Sequence, residues 1–99
     1  MIIIEKNEGT KIPYEVSGTK ICFDDDLTLN LAKRQKDDCV EHIDVCSDWD
    51  GDLTTSTKGA KAYVAQIDIP AAEYEGEDEE QVKKDLDMDK VTLTLWSID

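Results

Sequence analysis

The chain has 99 residues, 39% of them hydrophobic, and its 24 acidic residues against 11 Lys and Arg give a formal net charge of −13. That length allows one domain over residues 1–99 with a modest core, and is too short for two independent cores. The sign of the charge excludes direct binding to nucleic acid or to an anionic membrane surface, because both recruit cations.

The charge sits in two blocks. Residues 37–52 hold Asp37, Asp38, Glu41, Asp44, Asp48, Asp50 and Asp52 with no Lys or Arg. Residues 73–89 hold nine acids, Glu73, Glu75, Glu77, Asp78, Glu79 and Glu80 among them, against Lys83 and Lys84. The rest of the chain is close to neutral. Such blocks attract a basic surface, and large basic surfaces belong mostly to nucleic-acid-binding proteins. The plainer reading is that the acids only solubilise the domain.

In chain order, Met1 to Glu5 is a short apolar run compatible with a buried first strand. Lys11 to Val16 reads as a strand with Ile12, Tyr14 and Val16 on one face, demoted to an edge by Pro13. Lys20 to Phe23 is a further strand, with Asp24, Asp25 and Asp26 as its polar end. Leu27 to Leu31 alternates as a half-buried strand does, with Thr28 and Asn30 facing water. Lys33 to Asp38 reads as an exposed loop.

A β-hairpin is expected from Val40 to Tyr63. Val40 to Ser47 goes out with Ile43 and Val45 on the core face, Asp48 to Asp52 turns, and Leu53 to Thr57 returns. Asp50-Gly51 predicts a type I′ turn, which needs positive φ at both central residues. Tyr63 to Ile69 alternates next, with Tyr63, Ala65, Ile67 and Ile69 facing one way until Pro70. Residues 71–89 read as an acidic loop or short helix opening at Asp78, with Val82 and Leu86 spaced for one apolar contact. Val91 to Ile98 closes the chain as its clearest strand. The expected fold is mainly β (α+β at most), a small antiparallel sheet, barrel or sandwich of six or seven short strands with one short helix at most.

Two motif resemblances fail at the central turn. Asp48, Asp50 and Asp52 resemble the start of an EF-hand loop, but its glycine falls at the fourth position, Gly51, instead of the sixth, and Gly59 stands at the twelfth where that loop needs Glu. Asp48-Trp49-Asp50-Gly51 resembles the first motif of haloacid-dehalogenase-type phosphatases, but Asp52 replaces the threonine and too little chain follows for that α/β fold. Cys39, His42 and Cys46 are metal-capable, yet on a strand position 39 points away from 42 and 46, so no metal or other cofactor is expected. His42 is the single histidine, no Ser or Cys has a neighbouring base, and no glycine-rich phosphate loop is present. A non-enzyme is expected.

The odd number of cysteines argues against a disulfide framework. Met1 to Glu5 has neither the basic start nor the length of a signal peptide, and no run approaches a membrane span. A soluble cytoplasmic protein of a bacterial host cell is the expected setting. Trp49 at the hairpin tip and Tyr74 in the second acidic block are the aromatic candidates for an interface, the alternative being packing back across the sheet.

In size, acidity and lack of catalytic residues the chain resembles small inhibitors of phages and mobile elements, the anti-CRISPR and anti-restriction proteins. Its segments Tyr63 to Pro70 and Leu86 to Trp96 look like those of small proteins of such elements. The resemblance implies a nucleic-acid mimic that fills the basic channel of a nuclease such as a CRISPR effector. The alternative is a structural or assembly β module of a phage or mobile element, with metal binding a third reading.

Overall fold

A computed structural model describes residues 1–77 and 81–98. It is mainly β, as expected, and is built from two layers and a ribbon. A three-stranded antiparallel meander joins β2 (Tyr14–Ser17), β3 (Lys20–Phe23) and β4 (Leu27–Asn30). A larger sheet joins β1 (Ile2–Glu5), β5 (Glu41–Asp48), β6 (Leu53–Thr54), β7 (Ala60–Ile69) and β10 (Thr92–Leu95) in the order β1-β10-β7-β5-β6. β8 (Tyr74–Glu75) and β9 (Val82–Lys83) pair as a two-stranded ribbon. The larger sheet is open, and among its pairings only β1 with β10 is parallel.

One core joins the layers. Ile21, Phe23 and Leu29 from the meander pack in the same buried cluster as Ile43, Val45, Ala65, Ile67, Ile69, Leu93 and Leu95 of the larger sheet. The period-two pattern of β5 and β10 explains this: alternate residues face the meander and hide from water. Their neighbours His42, Asp44, Gln66, Asp68 and Thr92 stand on the opposite face, in register across β5, β7 and β10.

Several expectations change. Met1 to Glu5 is not a buried strand. β1 lies at the sheet edge, and Ile2, Ile3 and Ile4 are 42–50% exposed because no strand among the described residues covers its outer side. Lys33 to Asp38 is not wholly loop: Leu31–Arg34 forms a helical turn, α1, capped where Asn30 Oδ1 accepts the Lys33 N–H at 3.4 Å. Asp78 to Glu80, where a helix was expected to open, lie outside the described residues. Downstream, Val82 and Lys83 pair with Tyr74 and Glu75 instead of continuing a helix. Leu86 is buried while Val82 is exposed, so the two do not share the apolar face that a helix would give them. Regular helix is confined to α1 and a single 3-10 turn at Met88–Lys90 among the described residues.

Tyr63 also leaves its expected row. Val45 pairs with Ala65, but Cys46 pairs with Tyr63, so Val64 is an extra residue in β7. This bulge buries both Val64 and Ala65 and reverses the alternation before them. Tyr63 is half exposed, and its ring lies 5.9 Å from that of Trp96.

The type I′ turn occurs, but elsewhere. Asp24 and Asp25 have φ of +50° and +53°, and the Asp26 N–H donates to the Phe23 carbonyl at 2.9 Å. Left-handed backbone costs a residue with a Cβ, Asp less than most, and glycine adopts it freely. Asp25→Gly should therefore raise stability by about 0.5–1 kcal/mol, a melting shift of roughly 2–8 °C. Thermal denaturation checks this, and a lowered midpoint would contradict it.

Candidate functional site: an acidic turn beside an apolar cleft

β5 is the axis that positions the acids. Asp37, Asp38 and Glu41 lie at its start, and Asp48, Asp50 and Asp52 at its far end. Seven residues of extended chain separate Glu41 from Asp48, about 23 Å. The molecule is elongated, with extents of 50 × 25 × 21 Å.

The far end is a three-residue loop rather than a I′ turn. The Gly51 N–H donates to the Asp48 carbonyl at 3.2 Å, and Gly51 takes φ +89°. Asp50 stays outside the left-handed region. This is a type I turn followed by a glycine bulge. The Asp48 side chain closes it: its Oδ1 accepts the N–H of Asp50 at 2.9 Å and of Asp52 at 3.0 Å. Asp48 is thus engaged in building the turn. Asp50 and Asp52 project from it, and their carboxylates form no ion pair among the described residues. The returning strand β6 stops at Thr54, short of the expected Thr57. There the Thr54 and Ser56 hydroxyls take the N–H groups of Ser56 and Lys58, which compete with a ladder.

Tertiary structure adds residues that the sequence did not bring here. Asp26 Oδ2 accepts the Leu53 N–H at 3.1 Å, fixing the Asp24–Asp26 turn beside the Asp48–Asp52 turn. Trp49 is 76% exposed. The Lys61 ammonium lies 5.8 Å from the centroid of its ring. Lys61 follows Ala60, the register partner of Asp48, and that pairing was the signal that could have placed it. A cleft of about 360 Å³ opens alongside, lined in part by Asp24, Gly51, Leu53, Lys61, Tyr63 and Ile98.

The other end is more neutralised. Glu41 pairs with Lys36 at 3.6 Å, and Glu73 lies 3.5 Å from Lys90 and 4.0 Å from Lys84. The second block meets the first here. The Ala72 N–H donates to the Lys36 carbonyl, and the Tyr74 hydroxyl donates to Asp37 Oδ1 at 2.7 Å. Glu75 and Glu77 are exposed, and Asp38 is exposed in the bend before β5. Asp78, Glu79 and Glu80 lie outside the described residues.

The hydrogen bond to Asp37 raises the Tyr74 phenol above its usual value, with burial and the Asp37 charge adding to it. A raised phenol means that this contact is fully present below about pH 10 and is lost as pH rises through the folded value. Ultraviolet titration should find Tyr74 ionising above the ordinary phenol range, and Asp37→Asn should lower it. A Tyr74 ionisation that Asp37→Asn leaves unmoved would contradict this.

Between the two ends the acids do not form a continuous row. Asp44 accepts from Gln66 Nε2 at 3.1 Å, His42 Nδ1 bonds Asp68 Oδ1, and Cys46 is buried. Glu41 shares its register position with buried Ile69 and so lies on the opposite face from Asp44. Cys39 is exposed, Cys46 is buried with its thiol raised by that burial and then by Asp44, and all three cysteines are free. Among the described residues no three His, Cys, Asp or Glu side chains are grouped to hold a metal ion. No helix among them is long and apolar enough to cross a membrane. No family model, no curated protein and no solved structure matches the chain.

Proposed function

We propose that this protein is an acidic binding module that occupies the nucleic-acid channel of a basic protein, a nuclease such as a CRISPR effector being the partner of choice. The observation that carries the reading is the turn end of β5. There Asp50 and Asp52 project without ion pairs among the described residues, beside the Asp24–Asp26 turn and next to an exposed Trp49. Carboxylates held on rigid turns offer a cationic channel the charge it normally takes from phosphates, and exposed tryptophan supplies a contact that salt does not screen. The Asp37–Glu41 and Glu73–Glu77 end gives the same partner a second acidic contact, across the elongated molecule. The test is association with a basic nucleic-acid-binding protein and its competition by DNA.

A second reading is an assembly module of a phage or mobile element, and β1 favours it. Its outer edge is unpaired among the described residues and carries exposed Ile2, Ile3 and Ile4, the type of edge through which sheets join. Self-association that persists in high salt would decide for it.

A further inference from the structure

We infer that the outer face of the larger sheet, where Tyr63 and Trp96 stand beside Asp44, carries a slot for the head of one arginine side chain of a basic partner. The inference deepens the reading above and rests on it for the partner; the slot itself is tested without one. Strand register builds it. Thr94, Gln66 and Asp44 lie in one row across β10, β7 and β5, on the face opposite the core. Trp96, two residues beyond Thr94, reaches the same face, and its N–H donates to the Val64 carbonyl at 3.2 Å. Val64 is the extra residue of β7, so Tyr63 joins Trp96 here instead of facing the core with Ala65. The two rings lie 5.9 Å apart, tilted by 38°. With Asp44 and Gln66 they line a cleft of about 200 Å³.

Size and charge select the occupant. Sites for whole small molecules start at about 300 Å³, so this cleft suits the head of a side chain. Its lining holds one carboxylate and no Lys or Arg. Asp44 forms no ion pair among the described residues. Its Oδ1 accepts Gln66 Nε2 at 3.1 Å, which orients the carboxylate and leaves Oδ2 without a hydrogen bond among the same residues. His42, next along this face of β5, is bonded to Asp68. A cation is therefore preferred over an anion or a neutral guest, in a chain of net charge −13. Among cations, a guanidinium is planar, stacks on an aromatic ring and donates N–H groups to a carboxylate from its edge. A lysine ammonium is a compact, strongly hydrated charge that cannot do both.

The probe is blocked arginine (N-acetyl-arginine methylamide), titrated into the whole protein and followed by NMR, with blocked citrulline and blocked lysine as comparisons. Shifts are expected at the Trp96 indole N–H and at the Tyr63 and Gln66 amides, with citrulline and lysine both weaker. Asp44→Asn keeps an oxygen that accepts from Gln66 but removes the charge, and should weaken arginine binding about tenfold. Tyr63→Leu, at a half-exposed position, should weaken it by a similar factor; if that variant unfolds, Asp44→Asn decides alone. Asp50→Asn, at the turn, should change it by less than about twofold. Equal binding of citrulline, binding unchanged by Asp44→Asn, or shifts centred on the Trp49 indole would each overturn the slot. So would the absence of any response to arginine, even where a basic protein is captured. Arginine binding without capture of a basic protein upholds the slot and removes the channel-filling reading instead.

Discussion

Reversing two charges, Asp50→Lys together with Asp52→Lys, should weaken association with a basic partner about 100-fold at low salt and flatten its salt dependence. The choice of residues follows from the turn. Asp50 and Asp52 contribute only backbone groups to the loop, whereas the Asp48 carboxylate accepts both of their N–H groups. Changing Asp48 would lose the turn and the charge at once, leaving the cause ambiguous. With Asp48 kept, circular dichroism and melting should match the parent protein. Binding of the double variant at parental strength would mean that the turn acids take no part.

The second large effect concerns stability. Phe23→Ala should cost about 3–5 kcal/mol, against a total of roughly 5–15 kcal/mol for a domain of this size. Phe23 is the single phenylalanine of the chain, is fully buried, and packs 6.5 Å from the Tyr14 ring where the meander meets the larger sheet. Its loss leaves a cavity between the layers that flanking strands cannot close without breaking register. Denaturant titration checks this, with Phe23→Leu as the milder comparison. A loss below about 1 kcal/mol for the alanine variant would show that the layers do not depend on this ring.

Which parts of this were legible in the sequence follows from the range of the interactions. The hairpin about Asp50-Gly51, the core face of β5 and the strand character of β10 were readable because alternation and turn chemistry are local. The turn type was not, because it depends on the Asp48 side chain closing the loop. The displacement of Tyr63 was hidden as well: Tyr63-Val64-Ala65 fits an unbroken alternation, and the bulge arises from how β7 pairs with β5. A run of isoleucines looks the same at a sheet edge as at its centre, and the partner of β1 is β10, at the other end of the sequence. The acidic residues of the turn were evident by composition, and so was the question of Trp49 exposure. Asp24 to Asp26 and the cleft were not, since only the packing of the meander against the hairpin brings them there, and Lys61 was missed because it depends on the pairing of β7 with β5.

The most direct test of the central claim is capture from a bacterial lysate on immobilised protein at low salt, followed by elution with salt and, separately, with duplex DNA. The account predicts that the parent retains a basic nucleic-acid-binding protein, that either treatment releases it, and that the Asp50→Lys, Asp52→Lys variant fails to retain it. Retention that survives both salt and DNA, or that is equal on the reversed variant, would contradict a channel-filling role.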